Sequence, residues 1–234
     1  IDGVGVYLAR ARSGELLARM EDREADENSI VVPVPDTAKA AADAFAYHMG
    51  IPCVEGLIRN RYVGRTFIQP SDTRGRSAKG KYTPLPAVLK GKRVFLVEDS
   101  IVRSTTLASL VSHIRQRGRA REVHVRVACP PIISPCFYGI DMSTLGELFA
   151  PRHLGSGYRG RLDEDAAARM AEALGLDSLR YLSVPDLAAV LGIPLEELCL
   201  GCVMGKYPTA WGNRLIARAR QRREEGEELA RTYE

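Results

Sequence analysis

Residues 94–106 constrain the fold more than any other part of the chain. They begin with a strand-sized apolar run at residues 94–97, continue with the two acids Glu98 and Asp99, and end in hydroxyl-rich residues that open a helix. A second β-branched run, at residues 30–34, also stops at a polar turn before a helix-favouring stretch. This alternation predicts an α/β fold with a mostly parallel sheet that helices cover on both faces.

The same patterns assign the other elements. Apolar spacing predicts helices at residues 6–20, 38–49 and 105–117, and a third strand at residues 122–129. Beyond Tyr138 we predict only short helices joined by turns, at residues 144–150, 164–174 and 184–191, with a loop at 151–161 and a charged last helix at 211–231. We therefore expect a main domain at residues 1–150 and a helical C-terminal extension at 151–234 that packs on it.

Composition excludes several classes of protein. Of the 234 residues, 45% are apolar, which is enough for a substantial core, and no apolar run approaches the roughly 20 residues that span a bilayer. The net charge of +4 is too small to suggest a nucleic-acid partner. Five cysteines are an odd number in a chain of this size, which favours reduced thiols or metal ligands and a cytoplasmic setting.

The positive charge is concentrated between residues 59 and 93. That stretch contains ten basic residues and the single acid Asp72, and the basic residues are Arg59, Arg61, Arg65, Arg74, Arg76, Lys79, Lys81, Lys90, Lys92 and Arg93. Such an imbalance predicts an anionic partner.

The acid pair points to a site at the edge of the sheet. Open α/β sheets bind ligands at the carboxyl ends of their strands, which is where Glu98 and Asp99 are expected. Hydroxyls and backbone amides at the start of the next helix suit a phosphate group. The segment can therefore bind ribose hydroxyls, with or without Mg²⁺, beside a 5′-phosphate. The alternative is an ordinary turn in which Ser104 or Thr105 caps the helix.

At this segment the chain resembles the type I phosphoribosyltransferases, whose signature is four apolar residues, two acids and a hydroxyl-rich loop. Three further segments, at residues 32–37, 60–70 and 135–141, narrow the resemblance to the amidophosphoribosyltransferases. The resemblance covers residues 1 to about 209. It implies a type I phosphoribosyltransferase fold and the substrate phosphoribosyl pyrophosphate.

The resemblance also implies roles for individual residues. Asp36 and Thr37 would face pyrophosphate and metal, while Glu98 and Asp99 would bind the ribose diol, with Thr37, Glu98 and Asp99 around Mg²⁺. Residues 65–81 resemble the flexible loop of the family, which shields the reacting centre from water. The residues expected to contact substrate or act in catalysis are Asp36, Thr37, Arg65, Arg74, Lys81, Glu98, Asp99, Ser100, Arg103, Ser104, Thr105 and Thr106.

Three cysteines form a further candidate site. Cys199 and Cys202 are a Cys-x-x-Cys pair, and Cys136 lies in a segment that carries the resemblance. Some members of the family contain a 4Fe-4S cluster, which takes four thiolates, and these positions match three of the ligands. The fourth is expected upstream of Ile1. The alternative is three buried, inert thiols.

The activity that the resemblance implies is the first step of de novo purine synthesis. Phosphoribosyl pyrophosphate and ammonia would give 5-phosphoribosylamine and pyrophosphate, with the ammonia delivered from glutamine by a glutaminase domain that these residues do not include. We expect a homo-oligomer without nucleic-acid or membrane partners. Two alternatives remain, a regulatory module that only binds phosphoribosyl pyrophosphate and a nucleobase phosphoribosyltransferase.

Overall fold

The computed structural model describes residues 3–60, 62, 81–140, 142, 144–155 and 157–226. Arg65 and Arg74, two of the predicted substrate contacts, lie outside the described residues. The helices are α1 Val6–Arg19, α2 Lys39–Met49, α3 Pro86–Leu89, α4 Ser104–Gln116, α5 Glu164–Leu174, α6 Val184–Leu191, α7 Gly201–Met204 and α8 Ala210–Glu224. The strands are β1 Ser29–Pro33, β2 Leu57–Arg59, β3 Tyr82–Pro84, β4 Arg93–Glu98, β5 Glu122–Val127 and β6 Ser178–Tyr181.

Four strands form the central sheet, in the order β1-β4-β5-β6, and every neighbouring pair is parallel. Successive residues of β4 point to opposite faces, so that Val94 and Leu96 join one apolar cluster while Phe95 and Val97 join another. All four are 0% exposed. The predicted parallel sheet with helices on both faces is confirmed, and the apolar runs exist because neither face of β4 meets water.

The C-terminal third differs from the sequence prediction. Strand β6 was not predicted, yet it pairs with β5 and extends the sheet from within residues 151–234. Only Leu179 and Tyr181 of its four residues are buried, so its apolar signal is short. Residues 144–150, predicted as a helix, instead contain turns, followed by a 3₁₀ turn at Ala150–Arg152. The domain boundary near residue 150 remains a prediction.

Helices α1 and α2 pack closely on one face of the sheet. A Cβ at Gly14 of α1 would lie 1.9 Å from the backbone oxygen of Ala41 in α2, so no larger residue fits there without moving a helix. Phe45 of α2 then reaches the sheet, where its ring centroid lies 5.7 Å from that of Phe95. The alanine-rich sequence of α2 therefore permits close helix contact as well as helix formation. No helix in the described part of the chain is both long and apolar enough to span a membrane.

Polar side chains fill the same face beyond these two helices. Arg126 of β5 is 1% exposed, and its guanidinium makes two hydrogen bonds to the carboxylate of Glu21, a residue just after α1 whose side chain is 0% exposed. Both ring nitrogens of His124 are hydrogen-bonded. Nδ1 lies 2.8 Å from Oγ of Ser178, and Nε2 lies 3.0 Å from Oε2 of Glu122. The buried charge of Arg126 is tolerated because an opposite charge and hydrogen bonds accompany it.

Candidate active site

Strands β1 and β4 are neighbours, so the segments that follow them meet at one edge of the sheet. The amide of Val34 donates to the Val97 carbonyl at 2.9 Å, which fixes the chain as it enters the turn at residues 35–37. From this turn, the Thr37 hydroxyl donates to Oδ2 of Asp99 at 2.5 Å. Two candidate residues separated by 62 positions in sequence are therefore in direct contact.

The acid pair is held by hydrogen bonds within its own segment. The Asp99 amide donates to Oε1 of Glu98 at 3.0 Å, and the Ser100 hydroxyl donates to Oδ1 of Asp99 at 3.2 Å. Burial, followed by the nearby charge of Asp99, raises the pKa of Glu98 well above its ordinary value. None of the ion pairs among the described residues includes either carboxylate. The site therefore favours an arriving cation or hydrogen-bond donor.

Helix α4 presents its amino terminus to the same edge. Its N-cap residue is Arg103, with extended backbone and no side-chain capping bond, and Ser104, Thr105 and Thr106 form the first turn. The ordinary-turn alternative required Ser104 or Thr105 to be the N-cap, and neither residue is in that position. The first amides of the helix are left without a side-chain acceptor from the cap residue, which is the arrangement that binds phosphate at helix amino termini.

Arg103 is engaged within the protein. Its Nη2 donates to Oε2 of Glu147 at 3.1 Å, and the amide of Phe149 donates to the Val102 carbonyl at 3.0 Å. The loop between β4 and α4 is thereby fastened to the turn at residues 144–149. Sequence reasoning did not single out Glu147, because an isolated acid in a predicted helix carries no signal. A contact between Arg103 and substrate remains a prediction.

A second, two-stranded sheet lies beside the 35–37 turn. Strands β2 and β3 pair antiparallel, and Arg59 lies opposite Tyr82. We call these two strands the stem hairpin. Nη1 of Arg59 donates to Oδ2 of Asp36 at 2.5 Å, and the Tyr82 hydroxyl donates to the Pro35 carbonyl at 3.1 Å. Neither Arg59 nor Tyr82 was predicted as a site residue, although Arg59 belongs to the basic stretch.

Lys81 precedes β3 and is partly buried. Burial, and then the charge of Arg59, lower the pKa of Lys81, while Glu98 and Asp99 oppose that shift. Its ammonium group lies 5.2 Å from the centre of the Tyr82 ring. Lys81, one of the predicted substrate contacts, therefore interacts electrostatically with the acid pair. An anion bound nearby would favour the charged form of Lys81.

The three candidate cluster cysteines interact electrostatically. Burial raises the pKa of Cys202, and Cys136 and Cys199 raise it further. The Cys202 carbonyl accepts from the amides of Ile133 and Ser134, which brings α7 to the segment that carries Cys136. Even so, within the described ranges no three His, Cys, Asp or Glu side chains are arranged to hold a metal ion.

The two candidate metal sites differ in their ligand atoms. Mg²⁺ commonly uses one or two carboxylates together with substrate phosphates and water, so a complete protein cage is not required. Thr37, Glu98 and Asp99 provide such oxygens at the edge of the sheet. A 4Fe-4S cluster takes four thiolates, and Cys136, Cys199 and Cys202 supply three. The oxygens of Thr37, Glu98 and Asp99 are therefore of the kind that Mg²⁺ uses, and the three thiols are one fewer than a cluster takes.

Comparison with known proteins finds similarity to the amidophosphoribosyltransferases, the family that the sequence resembles. No protein-family model matches the chain. The amidophosphoribosyltransferase of Methanocaldococcus jannaschii is 47% identical over 210 residues, covering 89% of this chain and 41% of that protein. The enzyme of the same name from Bacillus subtilis is 43% identical over 214 residues, covering 89% of this chain and 42% of that protein. The chain thus spans about two fifths of the length of these relatives.

Solved structures agree with the sequence relatives. The Bacillus subtilis glutamine phosphoribosylpyrophosphate amidotransferase, in complex with ADP and GMP, matches with a TM-score of 0.71 and 42% identity over 89% of this chain and 44% of that one. A structure described as the allosteric regulatory enzyme of purine biosynthesis matches with a TM-score of 0.72 and 43% identity, covering 89% of this chain and 43% of that one. The expected type I phosphoribosyltransferase fold is therefore confirmed.

Proposed function

We propose that this chain, which is homologous to the phosphoribosyltransferase half of the amidophosphoribosyltransferases, transfers the phosphoribosyl group of phosphoribosyl pyrophosphate to ammonia. The products are 5-phosphoribosylamine and pyrophosphate, as in the first step of de novo purine synthesis. The observation that carries the proposal is the 2.5 Å contact between Thr37 and Asp99. It joins the 35–37 turn to the acid pair, beside the uncapped amino terminus of α4.

Each part of the substrate has a matching group at this edge. The 5′-phosphate binds the first amides and hydroxyls of α4, at Ser104, Thr105 and Thr106. The ribose hydroxyls bind Glu98 and Asp99, whose carboxylates have no cation partner among the described residues. Pyrophosphate then lies toward the 35–37 turn and Lys81.

Catalysis in this proposal is electrostatic. Breaking the bond at C1 builds positive charge on the ribose and negative charge on the leaving pyrophosphate. Lys81 is a partly buried cation whose pKa rises as anionic charge accumulates, so it binds the leaving group more strongly as the bond breaks. Asp99 and Glu98 keep the ribose ring oriented for attack by ammonia. Bound Mg²⁺ would neutralise pyrophosphate charge beside Thr37, Glu98 and Asp99.

The remaining predictions do not enter the mechanism. The 4Fe-4S cluster at Cys136, Cys199 and Cys202 stays a prediction, and iron and sulfide analysis of anaerobically purified protein tests it. The homo-oligomer and the cytoplasmic setting also stay predictions, and gel filtration with light scattering tests the first. Arg65 and Arg74 are proposed contacts that lie outside the described residues.

The test is pyrophosphate release by the purified 234-residue chain with different nitrogen donors. We expect release with phosphoribosyl pyrophosphate and a high concentration of ammonium salt, increasing with pH because ammonium must lose a proton before its nitrogen attacks C1. Glutamine should not replace ammonia, because we expect none of these residues to provide the nucleophile and oxyanion hole that amide hydrolysis needs. Release with a nucleobase instead of ammonia would overturn the assignment in favour of a salvage enzyme.

A binding titration separates the regulatory alternative. A module that only senses phosphoribosyl pyrophosphate would bind it without releasing pyrophosphate with any donor. Lys81→Ala sharpens the test, since loss of a group that acts as the bond breaks should lower kcat more than it raises KM. Unchanged turnover in Lys81→Ala would remove Lys81 from the mechanism.

A further inference from the structure

The stem hairpin makes two contacts with consecutive residues of the 35–37 turn. Arg59 and Tyr82 are opposite each other across the hairpin, and they bond to Asp36 and Pro35 respectively. A third bond, from the Asn60 amide to the Lys81 carbonyl at 2.9 Å, continues the pairing toward Lys81. One cross-strand pair therefore connects the turn to the segment that carries Lys81.

The two contacts differ in environment. Tyr82 is 8% exposed, and its hydrogen bond to the Pro35 carbonyl is buried. Burial, and then the charge of Glu98, raise the pKa of Tyr82 to about 12, so its hydroxyl keeps its proton and donates throughout the neutral range. The Arg59–Asp36 ion pair is more open, with side chains 37% and 53% exposed. Tyr82 therefore fixes the backbone of the turn, while Arg59 directs the Asp36 carboxylate.

We propose that Arg59 and Tyr82 are positioning residues, which hold the 35–37 turn in register with Lys81 and so assemble the pyrophosphate half of the site. The proposal rests on the proposed function, because it assigns pyrophosphate to this turn. Neither residue needs to touch substrate. Arg59 acts through Asp36, and Tyr82 acts through the Pro35 carbonyl, from which the chain leads to Thr37 and its bond with Asp99.

This arrangement predicts a local effect. Apart from the bond from Thr37 to Asp99, the hydrogen bonds of the acid pair are made within the β4–α4 segment, which also forms the amino terminus of α4. Loosening the 35–37 turn should weaken the pyrophosphate half of the site and leave the ribose 5-phosphate half intact. A general folding defect would weaken both halves.

Binding of two fragments by calorimetry tests the proposal without catalysis. Pyrophosphate with Mg²⁺ probes one half of the site, and ribose 5-phosphate probes the other. We expect Tyr82→Phe and Arg59→Gln each to weaken pyrophosphate binding about tenfold, the loss of one hydrogen bond to a positioned group, with ribose 5-phosphate binding changed less than about twofold. Because both residues act on one turn, the double variant should lose much less than the product of the two single effects.

Tyr181→Phe is the matched control. Tyr181 is 4% exposed, and its hydroxyl is buried without a hydrogen-bond partner among the described residues, so its removal tests the loss of a buried phenol oxygen alone. Arg59→Lys, which retains the charge, should recover part of the binding that Arg59→Gln loses. Wild-type pyrophosphate affinity in Tyr82→Phe, equal weakening of both fragments, or a fully multiplicative double variant would each overturn the proposal. If the wild-type chain binds neither fragment, the proposed function fails instead.

Discussion

Two glutamates are enclosed by this protein in opposite electrostatic settings. The side chain of Glu21 is buried and receives two hydrogen bonds from the guanidinium of Arg126, which is itself 1% exposed. Glu98 lies at the end of β4 beside a second carboxylate, and none of the ion pairs among the described residues includes it. Burial lowers the pKa of Arg126, but an arginine remains charged, so Glu21 keeps its counter-charge.

The contrast separates structure from chemistry. At Glu21 the cost of burying a carboxylate is offset within the fold, and nothing from outside is needed. Glu98 accepts a hydrogen bond from the Asp99 amide but has no ion-pair partner among the described residues, so a cation, a hydroxyl or a proton can offset the rest of the cost. A carboxyl with a raised pKa at the carboxyl end of a parallel strand is a candidate functional group, whereas the paired carboxylate of Glu21 supports the sheet.

Breaking the compensated pair should have the largest effect on stability. Arg126→Met leaves Glu21 buried without its partner, and we expect a loss of about 3–5 kcal/mol in the free energy of unfolding. Denaturant unfolding measures it. The double variant with Glu21→Met is the control, because replacing both charges should recover most of the loss. A double variant as unstable as Arg126→Met would show that packing, rather than the unpaired charge, causes the effect.

At the uncompensated site, a carboxylate should matter for activity rather than stability. Asp99→Asn retains an oxygen that can accept from Thr37 but removes the charge that we propose to face ribose and Mg²⁺. We expect ammonia-dependent kcat/KM to fall by about 100-fold or more. The melting temperature should change little. Turnover equal to that of the wild type would remove the acid pair from the mechanism.

Neutralising Glu98 should raise the free energy of unfolding and lower the activity. The folded-state pKa of Glu98 lies well above that of the unfolded chain, so its contribution to stability is greatest below the unfolded pKa of 4.5 and is lost as pH rises through the folded pKa. Glu98→Gln removes that loss. We expect a gain of about 1 kcal/mol in the free energy of unfolding at neutral pH, together with reduced activity. A destabilised variant would mean that Glu98 is compensated after all.

The sequence predicted the part of the fold with strong periodicity. The apolar runs at β1 and β4 and the helices predicted at residues 164–174 and 184–191 have bounds that the structure reproduces closely. Strand β6 could not be found this way. It has four residues, and one of its faces carries Ser178 and Arg180 in the polar network rather than apolar side chains.

The site residues could be predicted from sequence where they lie together in one short segment. Glu98 and Asp99 adjoin a buried strand, and their position in sequence indicates their position in the fold. Arg59, Tyr82 and Glu147 act through partners that are 23, 47 and 44 positions away in sequence. Nothing local marks such contacts, because they depend on which strands become neighbours.

The smallest expected effect concerns Glu122, a paired acid with the opposite pH dependence from Glu98. A hydrogen bond from Arg93, at 2.6 Å, is the main cause that lowers the pKa of Glu122 to about 2. Because this folded pKa lies below the unfolded value of 4.5, the stabilisation is present above about pH 4.5 and is lost as pH falls toward 2. The side chain is 26% exposed, so we expect Glu122→Gln to cost less than about 1 kcal/mol at neutral pH.

Glu122→Gln should also flatten the dependence of stability on pH at acid pH, whereas Glu172→Gln, at an exposed position on α5, should not. Chemical denaturation from pH 2 to pH 8 compares Glu122→Gln with Glu98→Gln directly. Changes of the same sign in both variants would mean that the charge of the partner does not decide how this protein tolerates an enclosed acid.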